Sequence, residues 1–185
     1  MKILNTSLPG VLLIEPQVFG DDRGFFMEAF SVARYAEIGI RCPFVQDNVS
    51  RSQRGVLRGI HWQHPHGQAK LVSVLEGEVF DVAVDLRAGS PTFGKWAGQL
   101  LSAGNKRQLY IPAGFGHGFL VTADVALFCY KCTDYYDPQS ERAVLWNDPS
   151  IGIEWPATNM LLSEKDRRAA RLSDIAPELL PRYDG

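Results

Sequence analysis

Residues 55–80, GVLRGIHWQHPHGQAKLVSVLEGEVF, decide how this chain is read. Two runs of strand-forming residues flank a polar turn, His64-Pro65-His66-Gly67, and a second turn comes at Glu76-Gly77-Glu78. The pattern predicts a strand hairpin. It carries Arg58, three histidines and Lys70 where a small β-domain would set apolar or plain polar side chains. Cationic and titratable groups concentrated there point to a pocket that holds an anion and moves a proton.

Downstream, GEVFDVAVDLR alternates cleanly, which predicts a strand with Phe80, Val82, Val84 and Leu86 inward. A turn at AGSPTFG leads to KWAGQLLSAG, and Gly104-Asn105 predicts a second hairpin into RQLYIPAGFGHGFLV. Residues 126–133 read as another strand. Upstream, Pro9-Gly10, Pro16 and Gly20 break short apolar runs, Ser31 is placed to cap a helix over VARYAEI, and Gly39 is placed to stop it. Residues 44–49 form a strand with Gln46 and Asn48 on one face and Val45, Asp47 and Val49 on the other. The tail changes character: Ser163 to Asp166 opens a helical stretch, and Pro177 and Pro181 restrict regular structure beyond it. Many short strands between turns predict a mainly β protein, an antiparallel sandwich or barrel with a few short helices. No repeat or linker divides residues 1–185, so a single domain is expected.

The chain has 185 residues, 45% hydrophobic and 22% charged, enough for one sizeable core. A net charge of −2 gives no general draw towards nucleic acid or a membrane surface, so local arginine and lysine must hold any anion. No leader-like or membrane-spanning stretch is visible, and a soluble, cytoplasmic protein is expected. Three cysteines argue for reduced thiols. The CYKC pair, Cys129 and Cys132, lies in an apolar strand that points its two ends to opposite faces, unlike a redox or zinc motif.

The spacing around the opening stretch resembles the cupin jelly roll. Gly55, His61 and Gln63 follow the first cupin motif, and Pro112, Gly114 and His117 follow the second. Gln63 replaces a metal-binding histidine, and Lys70 stands best where the metal-binding glutamate belongs. An ammonium there would repel a metal ion, so a cupin pocket without a metal or other cofactor is expected.

A finer match is more specific. RGFFMEAF, VQDNVS, GVLRGIHWQ, QAKLV, PAGFGHGF, YKCTDYYDP and LSEKD, in this order, resemble the dTDP-4-dehydrorhamnose 3,5-epimerases of deoxysugar biosynthesis, over about residues 5 to 170. The resemblance implies a dTDP-sugar substrate whose C4 ketone acidifies the hydrogens on C3 and C5. It implies His61 as base, Asp166 as its orienting carboxylate, Tyr130 as the acid on the opposite face and Lys70 as the enolate stabiliser. It implies Arg23, Arg58 and Lys165 at the phosphates and sugar. Phe26, Glu28, Gln46, Asp47 and Asn48 are implied at the base, Tyr136 stacked on thymine, and His117 and Glu141 in the pocket. A homodimer that exchanges N-terminal strands is implied as well.

The residues themselves leave other readings open. Ser163 to Asp166 is also a capping box. Tyr130 and Tyr136 could be sheet aromatics, and His64, His66, Arg107, Arg167 and Arg168 read as solvated surface. Strict alternation would point Arg58 and His61 to opposite faces, and only a bulge, easiest at Gly59, brings both to one pocket. Rival functions are an epimerase inverting C3 or C5 alone, a non-catalytic nucleotide-sugar binder, and a metal-dependent cupin.

Overall fold

The computed structural model describes residues 1–183. Its strands are β1 (Lys2–Asn5), β2 (Leu12–Glu15), β3 (Val18–Asp21), β4 (Gly24–Met27), β5 (Gln46–Gln53), β6 (Leu57–Gln63) and β7 (Lys70–Glu76). They continue as β8 (Glu78–Asp85), β9 (Trp96–Ser102), β10 (Gln108–Ile111), β11 (Phe115–Val121), β12 (Val125–Cys132) and β13 (Glu141–Ala143). Two short α-helices, α1 (Val32–Glu37) and α2 (Glu164–Arg167), complete the regular structure apart from two 3-10 turns near the tail. One sheet runs β1-β2-β10-β7-β12-β5, a second runs β13-β6-β11-β8-β9, and β3 and β4 form a separate ribbon. The strand pairs within these sheets are antiparallel, as the mainly β expectation required.

The two large sheets pack face to face over Val72, Val74, Val79, Leu109, Phe119 and Phe128. Burying each such side chain contributes about 1.5–3 kcal/mol. A second cluster, with Ile60, Trp62, Val82, Val84 and Leu86, lies on the outer face of the five-stranded sheet, where the tail covers it with Ile151, Leu172 and Leu180. Helix α1 covers part of the other outer face through Tyr35 against Ile14 and Leu71. Ser31 stands at its N-cap, though its side chain makes no capping hydrogen bond, and Gly39 comes just past its end at φ +93°.

Three expectations need correction. Strands β6 and β7 do not form a hairpin: they lie in opposite sheets, and residues 64–69 carry the chain across the sandwich. Gln63 anchors that crossing, donating from Nε2 to the carbonyls of His66 (2.8 Å) and Tyr135 (3.2 Å) and accepting from the Asp137 amide. The turn at Gly104-Asn105 likewise joins β9 to β10 across the sheets. The apolar set of β8 is buried, but against the tail. The face of β8 that looks between the sheets carries Val79, Asp81 and Ala83. Period two identifies which residues share a face, and it cannot say which cover that face meets when both are covered.

The bulge at Gly59 is present. Strand β11 pairs His117 with His61 and Phe119 with Arg58, so β6 spends three steps where β11 spends two. Gly59 takes φ +122°, and a Cβ there would lie 2.5 Å from Gly118 Cα and 2.7 Å from the His117 carbonyl oxygen. We expect Gly59→Ala to cost about 2–3 kcal/mol in denaturant unfolding, with loss of turnover because Arg58 and His61 no longer share a side. A variant as stable and active as the parent would refute this.

Candidate active site

Arg58 and His61 from β6, Lys70 from β7, His117 from β11, Tyr130 from β12 and Lys165 and Asp166 from α2 line one cavity of about 490 Å³. An adjoining lobe of about 200 Å³ shares His61, Lys70 and Tyr130 and adds Gln46, Asn48, Tyr136 and Glu141. Because β6 and β11 belong to one sheet and β7 and β12 to the other, the imidazoles face the ammonium and the phenol across the sandwich.

His61 Nε2 lies 2.5 Å from Asp166 Oδ1. Asp166 also takes part in the helix cap that the sequence offered: Ser163, the N-cap of α2, accepts at Oγ from the Asp166 amide at 3.1 Å and donates to Asp166 Oδ2 at 2.9 Å. The two roles that competed in the sequence are thus held together, because each carboxylate oxygen takes one partner. Burial would raise the Asp166 pKa, but the His61 contact, the Ser163 hydroxyl and Lys165 hold it below the usual carboxylate range. The group therefore stays an anion beside the imidazole at neutral pH.

Lys70 is pushed below the ordinary lysine range by burial, against the pull of Cys132, Asp81 and Glu141. Burial pushes the Tyr130 phenol up, so it stays protonated and able to donate. Arg58 donates from Nε and Nη2 to Ser52 Oγ at 3.2 and 3.1 Å. Among the described residues no carboxylate pairs with it, which leaves a guanidinium free for phosphate oxygens. Lys165 instead bonds Glu141 at 2.5 Å, and the Tyr136 hydroxyl donates to the same carboxylate at 3.0 Å. Tyr136 also donates its amide to Gln46 Oε1, which ties the 133–140 loop to β5.

Four expected site residues lie elsewhere in this chain. Alternation along β5 turns Asp47 outward, where it pairs with Lys131 at 2.9 Å. Arg23 and Phe26 belong to the β3–β4 ribbon, and Arg23 pairs with Asp21 there. Glu28 pairs with Arg34 at 3.2 Å. Conversely, sequence reasoning misses Asp81. It is completely buried, with His117 Nε2 at 3.0 and 3.1 Å from its two oxygens. The signal is an acid in the middle of an apolar strand, on the face that alternates with its large apolar residues. Ser50, which lines the cavity, and Ser52, which accepts from Arg58, are missed too, and short hydroxyls give no such signal. Among the described residues no group of three or more His, Cys, Asp and Glu is arranged to hold a metal ion. No helix among them is long and apolar enough to cross a membrane.

The family model described as dTDP-4-dehydrorhamnose 3,5-epimerase matches residues 5–174. The chain belongs to the dTDP-4-dehydrorhamnose 3,5-epimerase family. It is similar to the enzyme of that name from Pseudomonas aeruginosa, with 56% identity over 176 residues, 94% of this chain and 97% of the relative. The crystal structure of dTDP-6-deoxy-D-glucose-3,5-epimerase from Legionella pneumophila, in complex with dTDP-4-keto-L-rhamnose, superposes with a TM-score of 0.97. Its identity is 56%, covering 100% of this chain and 99% of that one. A dTDP-4-dehydrorhamnose 3-epimerase from Streptomyces niveus is 43% identical over 99% of this chain and 90% of its own. The epimerase family thus includes a relative named for one centre as well as those named for two.

Asp166→Asn should preserve the helix cap, since the Ser163 bond to the amide remains, while removing the negative partner of His61. Turnover should fall about 10²–10⁴-fold, the range of a lost acid–base contribution, with little change in melting temperature. Unchanged kcat would reduce Asp166 to a cap.

Proposed function

We propose that this chain inverts C3 and C5 of dTDP-4-dehydro-6-deoxy-D-glucose to give dTDP-4-dehydro-L-rhamnose, by proton abstraction next to the C4 ketone. The observation that carries the mechanism is the placement of His61 on one sheet and of Tyr130 and Lys70 on the other, around one cavity. His61 takes the proton from carbon, and the electron pair moves onto the C4 oxygen. The Lys70 ammonium stabilises that enolate, the charge that distinguishes the transition state from the ketone. Tyr130 then donates its hydroxyl proton to the opposite face of the same carbon. Asp166 stabilises the imidazolium formed on His61, and the unpaired Arg58 holds the diphosphate. No metal ion is required, because the ammonium supplies the positive charge and Gln63 is committed to the chain crossing.

The experiment runs three variants in D₂O with a chelator present and reads label and configuration by NMR. His61→Asn should neither exchange nor invert, because no proton leaves. Tyr130→Phe should incorporate deuterium at C3 or C5 faster than it inverts either centre. Lys70→Met should lose about 10²–10³-fold in kcat, as for a lost oxyanion donor, with nucleotide affinity largely kept. Inversion at the parent rate by Tyr130→Phe would place the acid elsewhere, and a chelator-sensitive parent would end the metal-free reading. Label at only one carbon would mark a one-centre epimerase.

The protein acts as a homodimer in which each ribbon reaches the nucleotide end of the other subunit's cavity. The support is the ribbon itself, which pairs with no other strand among the described residues and leaves Phe19, Phe25 and Phe26 exposed by 60, 61 and 70%. Such a patch marks an interaction surface. Arg23→Ala and His61→Asn proteins, each impaired alone, should regain activity when unfolded and refolded together. No recovery would mean that Arg23 serves its own subunit or no site at all.

A further inference from the structure

His117, in the cavity lining, belongs to a second imidazole–carboxylate pair that the proposed proton transfers leave unused. In the β6–β11 register His117 stands directly opposite His61, so two imidazoles lie side by side, each with its own carboxylate. Asp166 comes from the tail, whereas Asp81 comes from the wall of the sandwich. Asp81 is 0% exposed, and His117 is the only hydrogen-bond partner of its carboxylate among the described residues. A carboxylate so poorly solvated is costly to bury, and a packed apolar side chain would serve stability as well. Its presence calls for a charge to balance.

That charge is Lys70. It reaches the same interior from β7, and among the described residues no carboxylate lies within ion-pair distance of it. The other titratable or charged groups around it are Arg58 and His61 from β6, His117 from β11, Tyr130 and Cys132 from β12, Glu141 from β13, and Lys165 and Asp166 from α2. Glu141 is taken by Lys165, and Asp166 by His61 and Ser163. Burial pushes the His117 pKa down, so with its ring neutral the Asp81–His117 pair carries one negative charge. Burial drives Asp81 and Lys70 each towards its neutral form, and each opposes that drift in the other.

We propose that Asp81 is a positioning residue for the epimerisation: its carboxylate fixes the His117 ring at the sugar and is the buried counter-charge that keeps Lys70 an ammonium. The proposal rests on the enolate role given to Lys70 above. Asp81→Asn keeps the size and an acceptor for His117 Nε2–H but removes the charge. Lys70 is active when protonated, so kcat falls as pH rises through its pKa. Without Asp81 that pKa drops, and the alkaline limb of the kcat profile should move down by about one pH unit, with KM and dTDP affinity unchanged. A uniform fall in kcat with the limb in place would make Asp81 merely structural and overturn the proposal. Should the variant not fold, the parent protein serves: the Asp81 carboxyl carbon, followed by ¹³C NMR, should be ionised at pH 7, and a protonated group there overturns the proposal. Lys70→Met separates the two readings, because retained turnover would remove the enolate role itself, whereas an unmoved limb beside an inactive Lys70→Met removes only Asp81.

Discussion

From β5 to β13 the chain changes sheet at every connection except the one between β8 and β9. Neighbours in sequence therefore face each other across the sandwich instead of lying side by side. That constraint makes the site. His61 and Lys70 are nine positions apart and would sit on one surface in a hairpin; the crossing at residues 64–69 sets them on opposite walls. A reaction that removes a proton from one face of a ring and returns it to the other needs such opposed walls. The bulge at Gly59 adds the second requirement, turning Arg58 to the side that His61 already occupies.

The charges of the cavity are arranged by what each must do. His61 with Asp166, His117 with Asp81 and Lys165 with Glu141 are held in pairs at 2.5–3.1 Å. Arg58 and Lys70 have no such partner among the described residues. In the proposed reaction these two cations meet the two places where the substrate brings negative charge, the diphosphate permanently and the C4 oxygen only in passing. A paired cation would be neutralised before the ligand arrived. For Lys70, burial also lowers the affinity for its proton, which is demanding for an ammonium.

Much of this was legible in the sequence, for definite reasons. Alternation and turn chemistry marked out the strands, helix α1 and the burial of Val82, Val84 and Leu86. The difficulty between Arg58 and His61 was visible as a violation of period two, and so was its remedy at Gly59. What was not legible was the assignment of strands to sheets. A short polar turn looks the same whether it folds a hairpin or crosses a sandwich, and the difference lies in distant partners such as Tyr135 and Asp137 that seize Gln63. Asp81 escaped for a related reason, since the apolar half of β8 drew attention to the face that meets the tail. Arg23, Phe26 and Glu28 could be named from motifs, but their positions on a free ribbon and beside α1 depend on no local pattern.

The contact between His61 and Asp166 spans 105 positions. The tail that brings Asp166 to the cavity is also the cover of the five-stranded sheet, through Ile151, Leu172 and Leu180. During synthesis the strands of both sheets are made before that cover. Until the cover docks, the outer apolar face of that sheet is unshielded, and long-range contacts of this kind form late. Catalytic competence and protection from aggregation consequently arrive in one step, when the last part of the chain docks. A chain stopped before that point lacks the Asp166 partner of His61 and leaves the apolar face of the sheet open to other molecules.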